Sequence, residues 1–246
     1  MKGVILAGGT GSRLLPLTKV TNKHLLPVFN KPMVYYPMDM LKAAGIDNIL
    51  FVSGKEHAEH FIKLFGSGRD SGIKLLYAVQ DEAGGIAQAL GLAEDFSSNE
   101  PVAVILGDNV FDGCEEQLRR SVERFPSSDF SAKMFFKERD DAHRFGVATI
   151  VDDKLMEIVE KPKVPQSRFA QVGFYLYKPV IFEHIKNLKL SARGELEITD
   201  LNNIFVKANQ ADYEILEGEW FDTGTIESLH RAHMHFAKKH LDINQV

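Results

Sequence analysis

The first 32 residues constrain this chain more than any other stretch. A short apolar run, Val4-Ile5-Leu6, leads straight into Gly8-Gly9-Thr10-Gly11. Arg13 and Lys23 follow, among prolines at 16, 27 and 32. A buried strand that ends in glycines leaves backbone N–H groups bare at its carboxyl end, where α/β proteins hold anions. No Asp or Glu occurs before Asp39, although the chain carries 34 acidic residues and a formal net charge of −5. Residues 1–38 hold five of the 29 Lys and Arg residues, so the remaining 24 face all 34 acids. A basic loop in an acidic protein suits a small polyanion, and the overall charge argues against nucleic acid as a partner.

Strands and helices then alternate. Asn48–Val52, Ile73–Val79 and Val102–Leu106 are predicted strands, the last apolar throughout. A helix pattern starts at Pro32 and continues through Met33, Tyr36, Met40, Leu41 and Ala44 to Gly45, with Pro37 expected to kink it. Further helices are expected over His57–Phe65, Ile86–Asp95 and Glu116–Phe125. This spacing predicts an α/β fold with a Rossmann-like, doubly wound, mainly parallel sheet. Past residue 125 the texture changes. Strands are predicted at Phe130–Phe136, Val147–Val151, Lys154–Val159, Gln171–Tyr177 and Tyr213–Leu216, and helices at Val180–Lys186, Ile198–Asn209 and Ile226–Lys239. They form a mixed or antiparallel extension. With no repeat and no linker, a single domain over 1–246 is expected. The one cysteine, Cys114, excludes an intramolecular disulfide and reads as a structural thiol. No signal sequence or membrane-length apolar run is visible, so a cytoplasmic location without membrane partners is expected.

The glycine loop fails two familiar templates. Leu14 stands where the third glycine of a dinucleotide fingerprint belongs, and no Lys-Ser/Thr follows to make a Walker A loop. Prolines favour a long irregular loop there over an immediate helix. Arg13 can fork onto phosphate oxygens and Lys23 can supply a point charge. Asp108 follows the VAVIL strand in LGDN, a position suited to holding Mg²⁺ and equally common in plain turns. Asp222 follows apolar residues in WFDTG in the same way. Gln80 ends a strand before Gly84-Gly85; its amide could read a base edge, and Gly85 could let a flat base approach. Glu160-Lys161-Pro162 closes another strand. His230, His233, His235 and His240 hint at a metal, but their helical spacing fits a solvated face or subunit contact better.

LAGGTGSRLLPLT, Lys23-His24-Leu25-Leu26-Pro27-Val28 and Lys31-Pro32-Met33 together resemble the signature of the sugar-1-phosphate nucleotidylyltransferases. The resemblance is closest to the branch that transfers thymidylyl groups to glucose 1-phosphate, and it runs through nearly the whole chain. Ser12 stands where that family commonly has Thr. The resemblance implies dTTP and glucose 1-phosphate as substrates, dTDP-glucose and pyrophosphate as products, and Mg²⁺ clamped by Asp108 and Asp222. It implies catalytic roles for Arg13, Lys23, Asp108, Lys161 and Asp222. Nucleotide contacts would come from Leu6, Gly8, Gly9, Gly11, Gln80 and Gly85. Sugar-phosphate contacts would come from Asn109, Gly146, Glu160, Lys161, Gln171, Tyr175 and Arg193. Residues 1–125 would then form the nucleotide half and 126–246 the sugar-phosphate half with a C-terminal helix. A homodimer or homotetramer is implied as well. The alternatives are a UTP-using enzyme, one acting on an amino- or deoxysugar phosphate, and a silent regulatory subunit that binds nucleotide sugars. The joint presence of all five charged residues disfavours the silent subunit. Gln171-Val172 replaces the family's Val-Thr, which loosens the implied preference for glucose. Longer relatives carry further helices that form a regulatory nucleotide site; the chain ends before them, so that form of feedback is not expected.

Overall fold

The computed structural model describes residues 1–241; the last five residues of the expected 1–246 domain lie outside the described residues. The strands are β1 Lys2–Ala7, β2 Pro27–Val28, β3 Lys31–Pro32, β4 Asn48–Gly54, β5 Lys74–Gln80, β6 Val102–Leu106, β7 Asn109–Asp112, β8 Ala132–Glu138, β9 Gly146–Val151, β10 Lys154–Glu160, β11 Phe169–Tyr177, β12 Ala211–Ile215 and β13 Glu219–Asp222. The helices are α1 Tyr35–Ala43, α2 Ala58–Phe65, α3 Ile86–Gly91, α4 Glu94–Ser97, α5 Glu115–Arg124, α6 Ile181–Lys186, α7 Ile198–Lys207 and α8 Ile226–His240. The main sheet runs β10-β9-β11-β6-β1-β4-β5, with β8 on β11 and β12 on β8. Strands β6, β1, β4 and β5 are parallel to one another. Beyond β6 the pairs of β11 with β6, β8 and β9, and of β10 with β9, are antiparallel. Strand β12 pairs parallel with β8, so the expected mainly parallel sheet is observed with an extension that is mixed.

Alternation along the strands explains the two layers. In β1, Ile5 and Ala7 point to one face and Val4 and Leu6 to the other. The first face packs α1, α2 and α5 through Met38, Leu41, Phe61, Phe65, Leu118 and Val122. The second packs α3, α6 and α7 through Ala87, Leu90, Phe182, Ile185, Leu201 and Phe205. The sheet is therefore wound on both sides. Both clusters draw on residues before and after position 125. Cys114 is fully buried, and burial pushes its thiol pKa up to about 12, in keeping with a structural thiol.

Three details depart from the sequence expectations. Helix α1 begins at Tyr35, because Lys31-Pro32 pairs with Pro27-Val28 in a small hairpin. Pro37 then falls in the first turn, where an N–H has no helical partner anyway, so no hydrogen bond is lost. The helix expected over Ile86–Asp95 divides at Leu92-Ala93 into α3 and α4. No helix among the described residues is long and apolar enough to cross a membrane.

Helix α8 closes the molecule. Thr225 caps it in a reciprocal box with Ser228. Leu229, Ala232 and Phe236 pack on Leu14, Val28, Met33, Tyr36 and Val110. The Phe236 ring lies 4.7 Å from that of Tyr36. Phe236→Ala should cost about 3–5 kcal/mol, the usual size for emptying such a site. A thermal melt showing no drop in Tm would mean that α8 does not anchor the hairpin.

Candidate active site

The glycine loop turns back on itself through three short 3-10 turns, Ser12–Leu14, Leu17–Lys19 and Lys23–Leu25, rather than forming a structureless loop. Asn22 sets the last of them. Its buried Oδ1 accepts the His24 backbone N–H at 2.9 Å and faces His24 Nδ1 at 2.7 Å. The backbone donor identifies this atom as the amide oxygen, which has no hydrogen to donate, so Nδ1 carries the ring proton. Burial first, then the neighbouring Lys23 charge, lowers the His24 pKa to about 3. A neutral imidazole and a capped turn thus hold Lys23 in place.

Lys23 Nζ reaches Asp108 Oδ2 at 2.5 Å. Asp108 follows β6 and is only 8% exposed. Its neighbour Asn109 opens β7, which pairs antiparallel with β13 so that Asn109 stands opposite Asp222. The Asp108 carbonyl accepts the Thr223 N–H at 2.9 Å and hydroxyl at 2.7 Å. This ladder brings the LGDN and WFDTG segments together. Arg13 joins from the glycine loop: a Cβ on Gly224 would stand 2.8 Å from its Nη2 and 3.1 Å from Asp222 Oδ1. A side chain there would push the Arg13 guanidinium aside.

The two acids titrate in opposite directions. Burial alone would raise Asp108, but the Lys23 ammonium and its hydrogen bond outweigh it and hold the carboxyl well below its usual range. Asp222 is raised, by burial first and by the Asp108 charge second, with Arg13 only partly offsetting them. The pair is therefore short of positive charge. No group of three or more potential metal-ligating residues occurs among the described residues. Two carboxylates with spare lone pairs and mutual repulsion still suit a hard cation that takes its other ligands from water and phosphate.

Two cavities meet at this point. The first, of about 300 Å³, is lined by Leu6, Gly8, Gly9, His24, Gln80, Gly85 and Ala89. The second, of about 250 Å³, is lined by Asn109, Gly146, Glu160, Lys161, Gln171, Tyr175 and Asp222. Arg13, Lys23, Ile86, Leu106 and Asp108 belong to both. In the first cavity Gln80 Nε2 is committed to Gln88 Oε1 at 2.7 Å and the Gly85 carbonyl at 3.3 Å. Its Oε1, which lies against Gly8, is the end left to accept. Gly85 has φ +101°, and a Cβ there would stand 2.6 Å from the Leu196 carbonyl oxygen. Packing against that segment requires glycine here.

In the second cavity, strand alternation would send Glu160 and Lys161 to opposite faces. Lys161 instead adopts φ +43°, rare for a non-glycine, and both residues line the cavity. Their side chains meet at 3.1 Å. Thr199 Oγ1 donates to Glu160 Oε2 at 2.6 Å and fixes it. Gln171, Gly173 and Tyr175 form one face of β11, while Val172, Phe174 and Leu176 enter the core. Burial, then the Glu160 and Asp108 charges, raises the Tyr175 pKa, so its hydroxyl stays neutral.

Three of the residues singled out from sequence sit differently. Asn109 lines the second cavity, but its Oδ1 accepts from Gly173 N–H and Trp220 Nε1 and its Nδ2 donates to Asp108 Oδ1. It positions Asp108. Arg193 lines neither cavity: it is bonded to Glu197 and lies 3.8 Å from Glu160 Oε1. Gly11 also lies outside both; its carbonyl takes the Thr18 hydroxyl and shapes the loop. Two histidines of α8 are drawn off the solvated face: His235 meets Asp112 at 2.7 Å and Phe29 N–H donates to His233, while His230 and His240 are exposed, the latter stacked on Phe29. Sequence reasoning missed Asn22, Thr199, Trp220, Thr223 and Gly224. Only the last two carried a signal, by adjoining Asp222.

An α/β sheet carrying two adjoining cavities that share Arg13, Lys23 and Asp108 fits a nucleotide-transferring enzyme. The chain belongs to the nucleotidyl transferase family, whose sequence profile matches residues 2–239. It is 42% identical over 235 residues to the glucose-1-phosphate thymidylyltransferase of Neisseria meningitidis serogroup A, covering 94% of this chain and 81% of that protein. A solved structure from Bacillus anthracis, assigned as a glucose-1-phosphate thymidylyltransferase and in complex with a sucrose, is 51% identical with a TM-score of 0.91. It covers 96% of this chain and 94% of the other. A UDP-glucose pyrophosphorylase complexed with UDP-glucose shares the fold, at 23% identity and a TM-score of 0.84 over 97% of this chain and 98% of the other. The family's enzymes use nucleotide and sugar-phosphate substrates and are generally metal-dependent.

A raised carboxyl is a cost of folding that is present above its native pKa and relieved as pH falls toward the unfolded value of about 3.9. In a chelating buffer at pH 7, Asp222→Asn should therefore melt higher than the wild type. The gap should close as the pH is lowered into the ordinary aspartate range. A variant less stable than wild type at pH 7 would contradict the repulsion inferred from the burial of both acids.

Proposed function

We propose that this protein transfers the thymidylyl group of dTTP to α-D-glucose 1-phosphate, giving dTDP-glucose and pyrophosphate in a Mg²⁺-dependent in-line displacement. The carrying observation is the shared wall of Arg13, Lys23 and Asp108 between the two cavities. A nucleotide in one and a sugar phosphate in the other would meet across it. The base lies in the first cavity with Leu6 and Gly85, its ring N3–H donating to Gln80 Oε1. Backbone N–H groups around Gly8 and Gly9 take phosphate oxygens, and Gly11 shapes their loop. Arg13 holds the leaving pyrophosphate. Lys23 neutralises the reacting phosphate.

On the other side Lys161 meets the sugar phosphate and Glu160, fixed by Thr199, accepts from a sugar hydroxyl. Gly146 and Tyr175 give the ring its space and Gln171 borders it. Arg193, tied to Glu197, supports Glu160 from outside the cavity. A sugar-phosphate oxygen attacks the α-phosphorus as the bond to the β-phosphate's bridging oxygen breaks. The nucleophile is already an anion, so no general base is needed, in keeping with a His24 too buried to serve as one. Asp108 and Asp222 would hold Mg²⁺, which when bound polarises the α-phosphate and screens the repulsion between the two anions.

The reading includes residues 1–125 as the nucleotide half and the remainder as the sugar-phosphate half. It also places the enzyme in the cytoplasm as a homodimer or homotetramer. Pyrophosphate release measured with Mg²⁺ and a panel of nucleoside triphosphates and sugar phosphates tests the reaction. Release with dTTP and glucose 1-phosphate is expected; release with UTP alone, or with no pair at all, would overturn it. Asp108→Asn or Lys161→Ala should lower kcat by roughly 10²–10³, the usual size for one lost electrostatic contact, with the fold intact by circular dichroism. Near-wild-type turnover in either variant would remove that residue from the mechanism.

A further inference from the structure

The second cavity is bordered by Arg13, Lys23, Lys161 and Arg144, and only the first two also border the nucleotide cavity. Of these cations, Arg144 alone has no task in the proposed reaction. Its guanidinium is tied at one corner. Nη1 donates to Asp141 Oδ2 at 2.8 Å, and Asp141 is held in turn by Arg139 Nε at 2.6 Å. The group lies 5.4 Å from the centre of the ring of Phe145, itself a cavity residue. Among the described residues its Nε and Nη2 make no hydrogen bond, and Asp141 is its one ion-pair partner. Of the acids in the same cavity, Asp108 is answered by Lys23 and Glu160 by Thr199 and Lys161, while Asp222 makes no ion pair with Arg144. Arg193 presents the opposite case. It borders neither cavity, and its Nε and Nη2 are both spent on Glu197, at 3.0 and 2.7 Å.

We infer that Arg144, together with Lys161, binds the phosphate of the sugar 1-phosphate, the contact that the family resemblance gives to Arg193. This assignment rests on the sugar-phosphate reading of the cavity. A phosphate monoester carries about two negative charges on three terminal oxygens, more than one ammonium answers. Lys161 is a point charge already shared with Glu160 at 3.1 Å. A guanidinium adds planar, forked donors suited to two phosphate oxygens. Recruiting Arg193 would break its paired bonds to Glu197, whose side chain is only 12% exposed. Leaving such a carboxylate without its cation is costly. Recruiting Arg144 breaks nothing, because Asp141 holds it through Nη1 alone and Arg139 keeps Asp141 in place.

The test is the steady-state KM for glucose 1-phosphate and for dTTP, with Mg²⁺, in the wild type, Arg144→Gln, Arg144→Lys and Arg193→Gln. Arg144→Gln should raise the KM for glucose 1-phosphate by about ten- to a hundredfold, the worth of one charge-assisted hydrogen bond. The KM for dTTP should stay unchanged. Arg144→Lys, which keeps the charge and loses the fork, should fall between the wild type and the glutamine variant, and it carries the test alone if that variant misfolds. Arg193→Gln should shift the same KM less than either. An unchanged KM for glucose 1-phosphate in both Arg144 variants overturns the assignment, and a large rise in Arg193→Gln would then return the phosphate to Arg193. A fall in kcat alone, with both KM values unchanged, overturns it too, since Arg144 would then act on the acids and not on the sugar phosphate. No turnover of any sugar phosphate by the wild type overturns the sugar-phosphate reading itself, and the assignment with it.

Discussion

Everything in the site depends on the backbone contact between Asp108 and Thr223. Two hydrogen bonds from Thr223 to the Asp108 carbonyl join segments 115 residues apart, and the four-residue ladder of β7 and β13 extends that junction. Without it, Asp108 would be a loop residue beyond a parallel strand and Asp222 a residue before a terminal helix. With it, two carboxylates share one buried region. Arg13 and Lys23 converge on them from the glycine loop. Asn109 knits the junction to β11 through Gly173 and to β13 through Trp220. The geometry is carried by backbone and buried amides, which lose little when a ligand enters or leaves.

The electrostatics follow from that junction. Burying two acids side by side is unfavourable unless something compensates, and the protein compensates only one of them fully. Lys23 answers Asp108, while Asp222 keeps an uncomfortable charge. Local charge balance at Asp222 is then incomplete. His24 adds no charge to this balance, because burial keeps its ring neutral. Its contribution is geometric, through the Asn22 cap that fixes the Lys23 turn.

Much of this was legible in the chain because it is local. Apolar runs such as VAVIL end at a glycine or an acid, and periodicity located the strands of the main sheet and most helices, but not the short strands β2, β3, β7 and β13. The errors arose where tertiary context overrides local pattern. Helix periodicity ran back to Pro32 because Met33 is apolar and buried, but the hairpin with Pro27-Val28 claimed residues 31 and 32. Pro37 looked like an interior breaker only because the helix start was placed too early. His233 and His235 looked solvated because their partners, Phe29 and Asp112, lie far away in sequence. Asn22, Thr199 and Trp220 were invisible for the same reason: each acts on a neighbour that only folding provides.

Strand β11 links the two parts of the molecule. Its later residues pair with β6 beside the parallel core, and its earlier ones with β8 and β9 in the extension. One face is anchored by Val172, Phe174 and Leu176 in the first cluster, and on the other Tyr175 and Tyr177 are buried in the second. That second face also lines the second cavity through Gln171, Gly173 and Tyr175. Gly173 is bound to Asn109 and through it to the acids, so it belongs to the reaction centre. The strand therefore ties the acid junction, through Gly173, to the extension within one wall of the second cavity.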